Sequence, residues 1–305
     1  MQKVIVTGAN GFVGSVIVKQ LVAKGIQVAA LDLEGHDHNL PHSPLVRFIP
    51  MDIADISSLP EKIPSFVGAD ALIHLAWVGS AGPTRTDIRL QLNNAQWTAD
   101  CLRVCADLGC RRFVGAGTIM EHEVVANFSP GVKPAMPYIY GSGKLAAHAM
   151  CKPLAAQLNI DFLWAQITNT YGPGELSPRL INTTLRKFIS GDTLSFTAGT
   201  QNYDFIYVDD VASAFIHIAE KGVPFSEYVI GSGGARPLKE FLLEMGKTVA
   251  PDRELIFGDM PFTGVNMPLS TFDISLLVKD TGFKPSIGFA DGIRRTYDWI
   301  KEVEG

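Results

Sequence analysis

The chain has 305 residues, 47% of them hydrophobic, with 26 Lys and Arg against 31 Asp and Glu for a formal net charge of -5. At roughly 150 residues per domain this suggests about two domains or one large α/β unit, and the apolar content excludes a wholly disordered chain. Basic residues are scattered, with adjacent pairs only at Arg111-Arg112, Arg186-Lys187 and Arg294-Arg295, so no nucleic-acid partner is expected.

The four cysteines, Cys101, Cys105, Cys110 and Cys151, contain no CxxC pair and are expected to be structural thiols in a reducing compartment, with no metal site. No window approaches 18 apolar residues, and the chain opens on a strand-like Val4-Ile5-Val6. A soluble, cytoplasmic protein with no membrane partner is expected.

In chain order, the pattern predicts a strand over 4–7, a helix over 12–24, a strand over 27–31, a turn-rich stretch, and a strand over 47–50. A strand over 71–75, a helix over 87–108, a strand over 112–114, a helix over 140–158 and a strand over 162–167 follow. Strands alternating with long helices predict βαβ units, a parallel sheet and a doubly wound α/β fold. Beyond Asn169 the rhythm breaks at Gly172-Pro173-Gly174. It resumes with a helix over 180–190, a strand and helix over 204–220, a helix over 237–249, a strand over 255–257 and two closing helices.

Gly8, Gly11 and Gly14 follow the first strand in the order TGANGFVG and open the first helix. One glycine allows the tight turn, another lets backbone approach a pyrophosphate, and the third lets helix and strand pack closely, with the helix N-terminus facing the phosphates. Asp32, ending the second strand, is placed to accept hydrogen bonds from the adenosine ribose and to repel a 2′-phosphate. No Arg follows within a dozen residues, so NAD is expected over NADP. Asp52 and Ile53, after the third strand, would bracket the adenine, the alternative for Asp52 being an ordinary strand-end turn residue.

Tyr140 and Lys144 stand four residues apart on one helix face, where an ammonium beside a phenol lowers the phenol pKa. Thr118, in Gly115-Ala116-Gly117-Thr118 at a strand end, could hydrogen-bond the same substrate oxygen.

With these motifs in this order, the chain resembles the extended branch of the short-chain dehydrogenase/reductase superfamily, the NAD-dependent nucleotide-sugar epimerases, dehydratases and 4-ketoreductases. TGANGFVG is similar to its cofactor loop, HLAW (74–77) to its HLA segment, the Asn93-Asn94 helix start to its cofactor-lining Asn, NTYGPG (169–174) to NVYGPG, and YDFIYVDDVA (203–212) to RDFIYVDDVA. The resemblance implies a Rossmann-type sheet over 1–168 and 203–230, and a smaller C-terminal α/β substrate domain over 169–202 and 231–305. It implies Tyr140 as acid/base, Lys144 as the nicotinamide-ribose contact that tunes Tyr140, and Thr118 as polariser of the substrate oxygen. Asn10, Phe12, Val13, Leu75, Ala76 and Asn94 would join the cofactor contacts, and Asn169 and Arg179 those to a nucleotide-sugar substrate.

Two departures bear on the reaction. Where dehydratases of this branch carry Asp-Glu after the Ser/Thr, Ile119-Met120 follow Thr118, so a 4,6-dehydratase is not expected. Tyr203 stands where the family's Arg reaches the substrate diphosphate, so either another cation such as Arg179, Arg186 or Arg236 supplies that charge or the substrate is not an ordinary nucleotide diphosphate. GAGTIMEH is also similar to a segment of 4-keto-6-deoxyhexose reductases, so Glu121 or His122 could be a second acid/base near the sugar, or both could be surface loop residues. His36, Asp37, His38 and His42 are expected to be a solvated loop, and His74 a satisfied strand-end histidine. Helices over 87–108 and 140–158 carry apolar residues on more than one face, and the resemblance implies a homodimer through them. An epimerase is the expected activity, with an NAD(P)H-dependent 4-ketoreductase and a non-catalytic cofactor sensor as alternatives.

Overall fold

The computed structural model describes residues 1–129, 131 and 135–304. Its first half runs β1 (Lys3–Thr7), α1 (Phe12–Ala23), β2 (Gln27–Asp32), β3 (Val46–Pro50), α2 (Leu59–Lys62), β4 (Ala71–His74), α3 (Ile88–Asp107), β5 (Arg112–Thr118), α4 (Met120–Ala126), α5 (Tyr138–Leu158) and β6 (Asp161–Ile167). The second half runs β7 (Asn169–Tyr171), α6 (Leu180–Ser190), β8 (Ser195–Phe196), β9 (Asn202–Tyr203), β10 (Phe205–Tyr207), α7 (Val208–Lys221), β11 (Glu227–Ile230), β12 (Arg236–Pro237), α8 (Leu238–Val249), β13 (Ile256–Phe257), α9 (Ser275–Thr281) and α10 (Phe289–Glu304).

Seven parallel strands form one sheet in the order β3-β2-β1-β4-β5-β6-β11, the Rossmann arrangement. Strand order reverses between β1 and β4, where Thr7 lies beside both Leu31 and His74, and the crevice for a ligand opens beyond the strand ends at that switch point. Alternate residues of each strand face opposite sides. Val114 and Ala116 of β5 enter the core under α1 and α7 with Ile17, Leu21 and Phe215, while Phe113 enters the core under α3 and α5 with Leu102, Ala147 and Trp164. All four cysteines are buried and free, packed in this second core.

Local chemistry explains the helix ends. Asp87 caps α3 by accepting the Leu90 amide at 3.0 Å, and α5 stops at Asn159, which adopts a left-handed φ of 55°. A third core holds Tyr171, Leu185, Phe241 and Ile293 between α6, α8 and α10. It is joined to the sheet by Asp210 of α7, a buried carboxylate that accepts from Ser286 N at 3.0 Å, Ser286 Oγ at 2.7 Å and Ile287 N at 2.9 Å.

The structure differs from expectation mainly around Thr118. Strand β5 runs four residues further than predicted, to Thr118 itself, and residues 120–126 form the helix α4. Glu121 and His122 are therefore not surface loop residues. The short turns at Ile53–Ser58 and Pro64–Phe66 also carry no periodicity that announces them.

Replacing Asp210 with Asn turns one of three acceptor contacts into a donor facing donors, and is expected to cost about 2 kcal/mol of stability, measured by denaturant unfolding.

Candidate active site

Two cavities meet at Tyr140. The first, of about 590 Å³, runs along the ends of β1, β2 and β4. Its walls include Gly8, Gly11, Phe12, Val13 and Gly14 of the loop into α1, Asp32 and Leu33, Asp52 and Ile53, Leu75 and Ala76, and then Trp77, Tyr140 and Lys144. The second, of about 370 Å³, holds Arg85, Thr118, Glu123, Tyr140, Asn169 and Tyr203. Arg179 lines both, beside Glu175 at 3.4 Å.

In the first cavity the backbone comes close because nothing larger than glycine fits. A Cβ on Gly14 would run into the Gly8 carbonyl, and one on Gly8 would lie 2.8 Å from the Ala76 nitrogen. This leaves a cradle at the N-terminus of α1 suited to a pyrophosphate. Asp32 accepts the Asn10 amide at 2.8 Å and the Leu33 amide at 2.9 Å, and its carboxylate keeps lone pairs for two ribose hydroxyls. Asp52 accepts the Ala54 amide at 2.9 Å and caps the turn that follows, while remaining on the cavity wall. Arg47, the first Arg beyond Asp32, is turned away to the Lys62 carbonyl at 2.8 Å.

Two predicted cofactor residues stand behind the wall. Asn10 holds the loop that follows β2, its Oδ1 accepting the Asn39 amide at 2.8 Å. Asn94, buried, accepts from Val78 N at 2.9 Å and donates to Val78 O at 2.8 Å, so that it shapes the wall through Val78. His74 is fully satisfied between the hydroxyls of Thr7 (2.8 Å) and Thr98 (3.1 Å), and burial drops its pKa to about 3.

Lys144 is 4% exposed. Its ammonium donates to Ala116 O at 2.7 Å and lies 3.7 Å from the centre of the Trp77 ring. Burial lowers its pKa to about 7, against the opposing pull of Glu121. Burial pushes the Tyr140 phenol up; Arg85 and Arg179 oppose this, Glu121 adds to it, and the Thr118 hydroxyl favours the phenolate. Of the two arginines that favour the phenolate, Arg85 sits with its guanidinium 4.6 Å over the phenol ring.

Arg85 and Glu123 were not singled out by sequence reasoning. Arg85 lies in the short 3-10 turn Pro83–Thr86, and nothing local announces that it folds over Tyr140. Glu123 lies on α4, its carboxyl pushed up by burial and held by Tyr138. Of the three arginines considered as replacements at position 203, only Arg179 lines either of these two cavities. Arg186 pairs with Glu304, and Arg236 with Glu244 against the Phe241 ring. His122 faces Gln166, and Glu121 lies behind β5; neither lines the two cavities.

This architecture has known relatives. Residues 4–231 match the model of the NAD dependent epimerase/dehydratase family, and the chain belongs to that family, with NAD as its cofactor. It is 27% identical to the CDP-abequose synthase of Salmonella typhimurium over 95% of each chain. It is 24% identical to the UDP-N-acetyl-alpha-D-glucosaminuronate decarboxylase of Bacillus cytotoxicus over 99% of each. The solved UDP-N-acetylglucosamine 4-epimerase of Methanobrevibacter ruminantium superposes with a TM-score of 0.82 at 22% identity, covering 99% of both chains. Among the described residues no helix is long and apolar enough to cross a membrane.

The Lys144 pKa carries a stability consequence. Its ordinary value is 10.5 and the folded value about 7, so between these pH values the unfolded chain holds a proton that the folded chain has released. Stability therefore rises with pH across that window, and the contribution is lost as pH falls through about 7. Lys144→Met should remove this rise, seen by comparing the denaturant midpoints of both proteins at pH 7 and pH 9.5.

Proposed function

We propose that the chain is an NAD-dependent epimerase of a nucleotide-linked sugar, acting through a keto intermediate. The observation that carries this reading is the position of Tyr140. It lines both cavities, with Lys144 one helical turn further on in the first and Thr118 beside it in the second. A substrate hydroxyl at that junction would meet the phenol and the Thr118 hydroxyl together.

The cradle around Gly8 and Gly14, the Asp32 carboxylate and the Lys144 ammonium fit a dinucleotide lying along the first cavity. Gly11, Phe12, Val13, Asp52, Ile53, Leu75 and Ala76 would line it, with Asn10 and Asn94 holding the walls. Bound there, the nicotinamide would supply a hydride acceptor and donor. Tyr140 takes the hydroxyl proton as the sugar carbon is oxidised, and returns it on reduction. Thr118 orients the oxygen. Arg85 and Arg179 oppose the desolvation of the phenolate formed in between, and Arg179 and Asn169, which line the second cavity, would meet the substrate. Ile119 and Met120 line the sugar cavity where dehydratases of this branch carry an acid pair, so water elimination is not proposed.

A 4-ketoreductase is the second reading, favoured by the GAGTIMEH segment. It would use the same residues while consuming reduced cofactor. In either case we take residues 1–168 and 203–230 as the cofactor domain and the remainder as the substrate domain. A homodimer through α3 and α5 is also proposed, since Ile88, Leu92 and Met150 on these helices are each more than half exposed.

Tyr140→Phe should keep NAD affinity and lose about a hundred- to ten-thousand-fold in turnover; wild-type turnover would remove Tyr140 from the proton-transfer role. Denaturing protein purified without added cofactor and counting the released dinucleotide separates the two reactions. Near-stoichiometric NAD supports the epimerase, in which the hydride returns to the same sugar, and little or none supports the reductase. Asp32→Ala should weaken NAD binding and admit NADP, as titration calorimetry with both cofactors would show.

A further inference from the structure

Glu121 is a carboxylate only 2% exposed, and it lies behind the active site. Its Oε1 accepts the Thr118 amide at 2.8 Å and the Trp164 indole N–H at 3.1 Å. Its Oε2 accepts from Gln166 Nε2 at 3.3 Å and lies 3.1 Å from His148 Nδ1. The amides and the indole can only donate, which is the setting of an ionised carboxylate. A Cβ on Gly117 would fall 2.7 Å from Oε1, so the glycine beside Thr118 makes room for this group.

The titratable groups around Glu121 come from three elements. Lys144, Tyr140 and His148 belong to α5. His148 Nε2 leads on to Glu227 of β11 at 3.4 Å, which is paired with Lys152 of α5. His122, on α4 itself, is bound to Gln166. None of the hydride or proton steps above uses Glu121.

We propose that Glu121 is a positioning residue of the active site, fixing the Thr118 end of β5 through its amide and serving as the buried counter-charge of Lys144, whose ammonium is held by Ala116 two residues earlier on the same strand. Burial pulls Lys144 towards its neutral form, and Glu121 opposes that pull. The carboxylate thereby offsets part of that pull and favours the charged ammonium at the place where a cofactor ribose would meet a donor. The inference rests on the reading of Lys144 as a cofactor contact.

The test is NAD affinity measured by calorimetry from pH 6 to 9. In Glu121→Gln the fall of affinity with rising pH should begin earlier. Affinity should be about tenfold below wild type at pH 8 and within about twofold at pH 6, as moving the Lys144 titration by one pH unit gives. Glu121→Asp, which keeps the charge, should follow the wild-type profile. A group serving only to pack Trp164 and His148 would change the unfolding midpoint and leave the pH profile in place, and that outcome overturns the proposal. If Glu121→Gln does not fold, the wild-type protein decides: a carboxyl ¹³C shift showing Glu121 protonated between pH 6 and 9 also overturns it. Lys144→Met tests the underlying reading separately. It should abolish the pH-dependent part of NAD affinity, and affinity that still falls over the same range would remove Lys144 from the cofactor site.

Discussion

The indole of Trp164 lies across β5 at the two places where that strand has no side chain, Gly115 and Gly117, and much of the site is arranged around this contact. Gly115 is the direct register partner of Trp164 on β6, so the strands could not carry both an indole and a second side chain there. The ring stacks on His148 at 4.9 Å, and its N–H is held by Glu121, which in turn receives the amide of Thr118. Packing on one side of the sheet thereby sets the position of a hydroxyl on the other side of the strand end. The same contact explains why Gly-Ala-Gly-Thr follows the pattern of a buried strand while carrying two residues of low β propensity.

Burial then sets the charge states. It pushes Tyr140 up and Lys144 down, so both groups are driven towards their neutral forms by the same cause. For Tyr140 this favours the protonated phenol, which can donate to a ketone oxygen. In the proton transfer proposed for Tyr140, the cations that favour the phenolate are Arg85, stacked on the ring, and Arg179, at the junction of the cavities. Lys144 is spent differently. With its ammonium on the Ala116 carbonyl and the Trp77 face, it belongs to the wall of the cofactor cavity.

What the sequence made legible was the chemistry that repeats locally. The strand and helix periods announced the sheet, and TGANGFVG, Asp32, Thr118, Tyr140 and Lys144 converge on adjoining cavities because each sits at a strand end or on a helix face with a regular spacing. Arg85 was not legible, since its meeting with Tyr140 spans 55 positions of chain and follows from the placement of a four-residue 3-10 turn too short to carry a period. Glu121 and His122 were read as either near the sugar or on the surface. That choice missed the third possibility, a short helix turning Glu121 under the sheet, because seven residues are too few for a helical period to stand out. Asn10 and Asn94 hold their neighbours rather than the cavity surface, a distinction between supporting and lining that motif spacing does not carry.

The two departures noted in the sequence both fall in the second cavity, where they bear on the reaction proposed for it. Elimination of water asks for an acid and a base acting on neighbouring carbons, whereas Ile119 and Met120 present apolar side chains just past Thr118. Glu123 and Glu175 are the carboxylates lining that cavity among the described residues, and each is already engaged, by Tyr138 and by Arg179 with Ser177. Hydride transfer at one carbinol carbon needs neither. As proposed here it would need a phenol, a hydroxyl beside it, and a cofactor on the far side of that phenol, and Thr118, Tyr140 and Lys144 would supply these side chains where the two cavities meet at Tyr140.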